Sequence, residues 1–217
     1  MKAIMISIKP KWCAKIMNGE KTIEVRKNKA LANAIQKLID ENGYADIYVY
    51  CTKDKNLIYT DGTDGKGDYV DYKYYDSYKG DENDIGSGRV VFKFRCREVK
   101  EISWQIGLHE LEQQPFSDFL DKCCLSYFEL KDYLNMENGY AIHISDLEIF
   151  DEPKELSEFR YATCPKTNCE YCKYNKTVEG DLYCTRKTLT KAPQNFCCVE
   201  SPKRIRHKRR CWYETNK

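Results

Sequence analysis

The sequence predicts an α+β fold followed by a small cysteine-rich module. Three observations carry that expectation. Short stretches of strict apolar alternation recur near residues 4–8, 47–52, 89–97 and 140–144, the period-2 signature of strands. Segments of helical spacing separate them, at residues 10–17, 29–42 and 102–134. The chain holds twelve cysteines, and seven of them (164, 169, 172, 184, 197, 198 and 211) fall after residue 160, which marks a change of character.

Taken in order, Ile4, Ile6 and Ile8 share one strand face and Met5 and Ser7 the other, so a half-buried strand is expected. Pro10 suits the first turn of a helix, where its missing N–H costs nothing. That helix brings Cys13, Ile16 and Met17 to the core and stops at Gly19, a residue at ease in left-handed backbone. Beyond it, alternation sets Lys21, Ile23 and Val25 against Thr22, Glu24 and Arg26. Leu31, Ile35, Leu38 and Ile39 lie at helical spacing before Gly43, a second C-cap. Residues 47–52 read as a strand. Residues 59–85 carry eight acids against three lysines, with six tyrosines, and read as an acidic insertion between strands. In residues 89–97 Val90, Phe92, Phe94 and Cys96 face the core, while Lys93, Arg95 and Arg97 form either a solvated face or part of a basic groove. Ser126 and Glu129 make a capping box for a helix bearing Leu130, Tyr133 and Leu134. Closing strands follow at residues 140–144 and 147–150, and Pro153 ends them.

The runs Ser7-Ile8-Lys9-Pro10 and Gly19-Glu20-Lys21-Thr22-Ile23-Glu24-Val25-Arg26-Lys27 resemble the start of an ASCH domain, a small β-barrel relative of the PUA fold associated with RNA. Residues 48–53, 88–92 and 139–145 resemble it too. The resemblance spans roughly residues 1–155 and implies a PUA-like barrel with flanking helices. It also implies a ligand cleft whose candidate nucleic-acid contacts are Lys9, Trp12, Lys21, Thr22, Glu24 and Arg26. Some small ASCH proteins are amidohydrolases acting on acetylated cytidine, and others resemble ribonucleases. In the amidohydrolases a lysine like Lys21 works with a threonine three residues later, where this chain has Glu24. A carboxylate cannot replace that hydroxyl, so the departure weighs against this chemistry, although Lys21 and Glu24 remain candidates for an acid–base pair in another hydrolase.

After residue 160, Cys169 and Cys172 form a Cys-x2-Cys pair that a single tight turn can place on one ion, and Cys184 and Cys197 complete four candidate ligands. Cys164 and Cys198 are the alternatives. The expected cofactor is a structural zinc ion rather than an iron–sulfur cluster, because no compact run of cysteines is present. Certain phage-encoded ASCH proteins carry a similar tail, resembling Pro193-Gln194-Asn195-Phe196-Cys197 here. Residues 203–217 hold seven bases against one acid, among them Lys203, Arg204, Arg206, Arg209 and Arg210, a composition suited to phosphate backbones.

The expected organisation is thus a barrel domain over 1–155, a zinc module over 160–200 and a basic tail over 201–217. No apolar run approaches the ~18 residues of a membrane span, and twelve cysteines in a chain with no secretory signature read as thiols or metal ligands in the cytoplasm. The expected partner is RNA or another nucleic acid. A nucleic-acid hydrolase and a protein-interaction module are the alternatives.

Overall fold

The computed structural model describes residues 2–58, 72–75, 85–103, 105, 114–162, 175–178, 181–184 and 188–200. In chain order the elements are β1 (Lys2–Ile8), α1 (Pro10–Met17), β2 (Ile23–Arg26), α2 (Lys29–Asn42), β3 (Ala45–Cys51), β4 (Asn56–Ile58), β5 (Lys73–Tyr75), β6 (Val90–Cys96), β7 (Val99–Ile102), α3 (Gln114–Cys123), α4 (Tyr127–Leu134), β8 (Gly139–His143), β9 (Ser145–Lys154), β10 (Arg160–Tyr161), β11 (Asn175–Val178), β12 (Asp181–Cys184) and β13 (Phe196–Glu200). A 3₁₀ turn at Leu156–Glu158 precedes β10.

The architecture is α+β, as the sequence predicts. Six strands form one sheet in the order β10-β13-β1-β3-β6-β9, parallel only between β1 and β3. A second sheet, β2-β8-β7, is antiparallel throughout. The two sheets enclose a common interior in the manner of a small barrel. Ile4, Ile6 and Ile8 of β1, Ile47 and Val49 of β3, and Phe92 and Phe94 of β6 meet Ile142 of β8 there, with α1 and α2 contributing Cys13, Ile16, Leu31 and Ile35.

Local chemistry explains the helix ends. Pro10 opens α1, Asn28 accepts a hydrogen bond from the Leu31 N–H at the start of α2, and Ser126 and Glu129 exchange the two bonds of a capping box on α4. Gly43 closes α2 at φ 80°, a conformation that costs a residue with a Cβ.

Two expectations are corrected. The first strand is buried on both faces, because Ala3 and Met5 pack with Tyr48, Phe150, Phe159, Leu189 and Val199 in a second cluster on the outside of the sheet. Register shifts between Val49 and Tyr50 where Val90 and Phe92 pair, so Val90 joins the outer cluster and Val91 the interior one. Of the two readings of the cations in residues 89–97, the structure favours the solvated face over the basic groove, with Lys93, Arg95 and Arg97 each paired to a carboxylate of an adjoining strand. Lys93 lies 2.9 Å from Glu148, Arg95 3.3 Å from the buried Asp46, and Arg97 2.7 Å from Asp146.

The range 160–200, expected to be a separate module, supplies two strands to the main sheet. β13 pairs antiparallel with β1, setting Met5 opposite Cys197, and β10 pairs with β13. β11 and β12 form a hairpin of their own. Most of the acidic stretch 59–85 lies outside the described residues, apart from residues 72–75 and Ile85. β5 pairs with β4, and the Asn18 side chain at the end of α1 bonds both backbone groups of Tyr72, at 3.0 and 2.9 Å. Among the described residues no helix is long and apolar enough to cross a membrane.

Candidate functional site

A half-open cavity of about 380 Å³ lies where the end of β1 and the start of α1 meet β2 and the helical pair α3–α4. Its position follows from alternation along β2. Ile23 and Val25 are buried against Leu120, Cys123, Tyr127, Leu130 and Leu134 of the two helices, and Glu24 and Arg26 therefore point to the other side. Ideal alternation would send Lys21 away from them. Lys21 lies before β2 begins, in the turn that follows Gly19 at φ 75°, and its backbone N–H bonds the Lys15 carbonyl at 3.0 Å. Released from strand geometry, its side chain enters the cavity beside Glu24.

The floor is a buried charged triplet. Lys21 is only 3% exposed and donates to the Cys123 carbonyl at 2.8 Å, at the C-terminal end of α3, where the helix carries partial negative charge. Its Nζ also lies 3.4 Å from Glu24 Oε2. Arg26 Nε is 2.8 Å from Glu24 Oε1, and Arg26 Nη2 donates to the Ser7 carbonyl at 2.7 Å. The Arg26 Nε–H is not directed at the carboxylate, so this buried nitrogen is ion-paired without a hydrogen bond. Two cations thus share one carboxylate, leaving the floor with one net positive charge.

Trp12 of α1 forms one side. Its ring centroid is 5.1 Å from Lys21 Nζ and 4.6 Å from Lys11 Nζ, which marks its π face as a surface that attracts cations and stacks with planar groups. Leu125, Glu129 and Tyr133 also line the wall. Burial pushes the Tyr133 hydroxyl up and keeps it protonated. The Ser126 backbone and hydroxyl hold the Glu129 carboxyl below its usual range, which commits that carboxylate to the helix cap.

Of the sequence candidates, Lys9, Trp12, Lys21, Glu24 and Arg26 line this one cavity. Thr22 does not. Its backbone bonds the Lys122 carbonyl and the Ile144 N–H, tying β2 to its neighbours. Lys203, Arg204, Arg206, Arg209 and Arg210 lie outside the described residues, as do Cys169 and Cys172. Cys184 ends β12. Cys197, on β13, packs against the outer cluster, and burial pushes its thiol up to about 12. Among the described residues no group of three or more side chains is placed to hold a metal ion. The wall residues Leu125, Glu129 and Tyr133 were not among the candidates. Their capping box was legible, but nothing local showed which face of that helix would meet β2.

No family model matches the chain, and no curated protein matches it. Solved structures similar to it include the ASCH protein of Zymomonas mobilis, at 16% identity and TM-score 0.40 over 71% of this chain and 73% of that one. A mutant of the same protein is similar at 17% identity and TM-score 0.43, over 72% and 77%. The N-terminal domain of Staphylothermus marinus McrB is similar at 11% identity and TM-score 0.39, over 70% and 76%.

Proposed function

We propose that the protein binds RNA and takes one unpaired nucleotide into the cavity between Trp12 and α4. The observation that supports this most is the pairing of an indole wall with a buried floor of one net positive charge, in a space of about 380 Å³. A cavity of a few hundred Å³ is of ordinary size for a small-molecule or single-residue ligand. An aromatic face accepts any base by stacking, and Lys21 with Arg26 can serve a phosphate or carbonyl oxygen. Glu24, held between them, is an acceptor for an exocyclic amino group.

Two further parts belong to the same proposal. A structural zinc ion held by Cys169, Cys172, Cys184 and Cys197 would order residues between β10 and β13, and the basic residues 203–217 would add affinity that does not depend on sequence. The compartment proposed is the cytoplasm, where thiolate ligands stay reduced.

The test is fluorescence anisotropy with labelled pentaribonucleotides, on the native chain and on Trp12→Ala and Lys21→Met. Binding by the native protein that falls at least tenfold in both variants is expected. Absence of binding by the native protein, or equal binding by Trp12→Ala, would sink the reading.

A further inference from the structure

One ammonium beside the cavity is committed to no carboxylate. The other cations around it are. Lys9 lies 3.8 Å from Asp54, Lys15, the next lysine of α1, 2.8 Å from Glu20, and Lys27, close to the Tyr133 ring, 3.2 Å from Glu137. On the floor Lys21 and Arg26 share Glu24, and each also donates to a backbone carbonyl, of Cys123 and of Ser7. These floor donors are largely spent on the protein itself.

Lys11 differs. Its Nζ stands 4.6 Å from the centroid of the Trp12 ring, the indole that lines the cavity. Among the described residues Lys11 has no ion-pair partner, and its ammonium makes no hydrogen bond. The lining carboxylate of Glu129 accepts from the Ser126 N–H at 2.8 Å and so belongs to the cap of α4. Lys11 adds the smallest of the effects that hold this carboxyl below its usual range, which puts the ammonium within electrostatic reach of α4 as well as of Trp12. It is a rim cation between two elements that line the cavity.

Three donor N–H groups that meet only a ring face suit a phosphate oxygen, because a charge-assisted hydrogen bond outweighs a cation–π contact at an accessible position. The charges agree. Lys11, Lys21 and Arg26 stand against Glu24 and Glu129, which leaves one positive charge, while Lys9 is balanced by Asp54 and Lys27 by Glu137. An anionic group completes that set and a neutral one does not.

We infer, resting on the proposed RNA reading, that Lys11 is the phosphate-binding residue of this cavity and holds the phosphate of the nucleotide whose base lies against Trp12. The ligand class is thereby a nucleotide with its phosphate, and not a neutral nucleoside or free base.

The test is anisotropy of a labelled pentaribonucleotide on the native chain, Lys11→Met, Lys11→Arg and Lys9→Met, with unlabelled nucleosides and their 5′- and 3′-monophosphates as competitors. Methionine keeps an unbranched chain and removes the charge. Lys11→Met is expected to weaken binding of the pentaribonucleotide and of one or both monophosphates about tenfold, the low end for a hydrogen bond to a charged group. The slope of log K against log salt should fall by about 0.7, the value of one phosphate contact on a single strand. Nucleoside competition should stay as in the native chain, Lys11→Arg should keep native affinity, and Lys9→Met should cost less than Lys11→Met. Which monophosphate shares the loss tells which side of the ribose meets the ammonium. Nucleosides that compete as well as monophosphates on the native chain, an equal loss for both in Lys11→Met, no loss, a loss confined to the pentaribonucleotide, or a greater loss in Lys9→Met would each overturn the inference. If Trp12→Ala abolishes pentaribonucleotide binding while Lys11→Met is silent, the cavity reading stands and the phosphate anchor alone fails. If the native protein binds none of the probes, both fail.

Discussion

Replacing Glu24 with glutamine removes one negative charge from a site where two cations have been desolvated around it. The side chain is 8% exposed, Lys21 is 3% and Arg26 19%, with pair distances of 3.4 and 2.8 Å. Glutamine is isosteric, so no cavity opens and the change is electrostatic. Removing one partner of a buried pair typically costs 3–5 kcal/mol, because the remaining charge is left uncompensated. Here the cavity is open on one side and Lys21 keeps its bond to the Cys123 carbonyl, so the low end, about 3 kcal/mol, is expected. In a chain of this length that amounts to roughly 6–12 °C in Tm. Circular dichroism melts of Glu24→Gln, Lys21→Met and the double variant give the cycle. The double variant should lose less than the two singles combined, since each removes a charge the other compensates. Binding of pentaribonucleotides by folded Glu24→Gln at 25 °C should also fall, because the acceptor facing the ligand changes. A Tm within about 1 °C of native would refute the account of Glu24 as the counter-charge of a buried triplet.

Other outcomes follow from the same chemistry. Purified protein should carry close to one zinc per chain by elemental analysis, and Cys172→Ser should release it; iron with visible absorbance, or no metal, would count against the proposal. Deleting residues 203–217 should weaken binding similarly for all sequences and reduce the slope of log K against log salt by about 2–4 for a single strand, with an unchanged slope showing that the segment does not touch phosphate. Burial pushes the thiols of Cys123 and Cys96 up to about 12 and about 11, so both should resist iodoacetamide at pH 8 while the exposed Cys198 reacts, as peptide mass spectrometry would show. Because these folded values lie above the unfolded thiol value, their contribution to stability is fully present below about pH 8.5 and is lost as pH rises toward 11–12, so Tm should decline on the alkaline side.

The local features of this protein were legible in its residues. Pro10, Gly19, Gly43 and the Ser126–Glu129 box mark helix ends through backbone preference and short-range hydrogen bonds, which depend on neighbours a few positions away. The row Lys21, Glu24 and Arg26 stood out for the same reason, as charge within an apolar strand signal. What only the tertiary structure decided is where those pieces meet. The alternation of Ile4, Ile6 and Ile8 suggested one buried face, but β13 and the segment around Phe159 and Leu189 cover the other, because Met5 and Tyr48 expose apolar surface that burial stabilises. Residues 196–200 carry no signal naming β1 as their partner, since strand pairing depends on an available edge and not on local sequence. Lys21 faces Glu24 because the turn after Gly19 frees it from strand alternation and the end of α3 presents a carbonyl to its ammonium. The cavity itself is the gap left when α4 docks its apolar face on Ile23 and Val25, a long-range packing event that brings Glu129 and Tyr133 to the same cavity as Trp12.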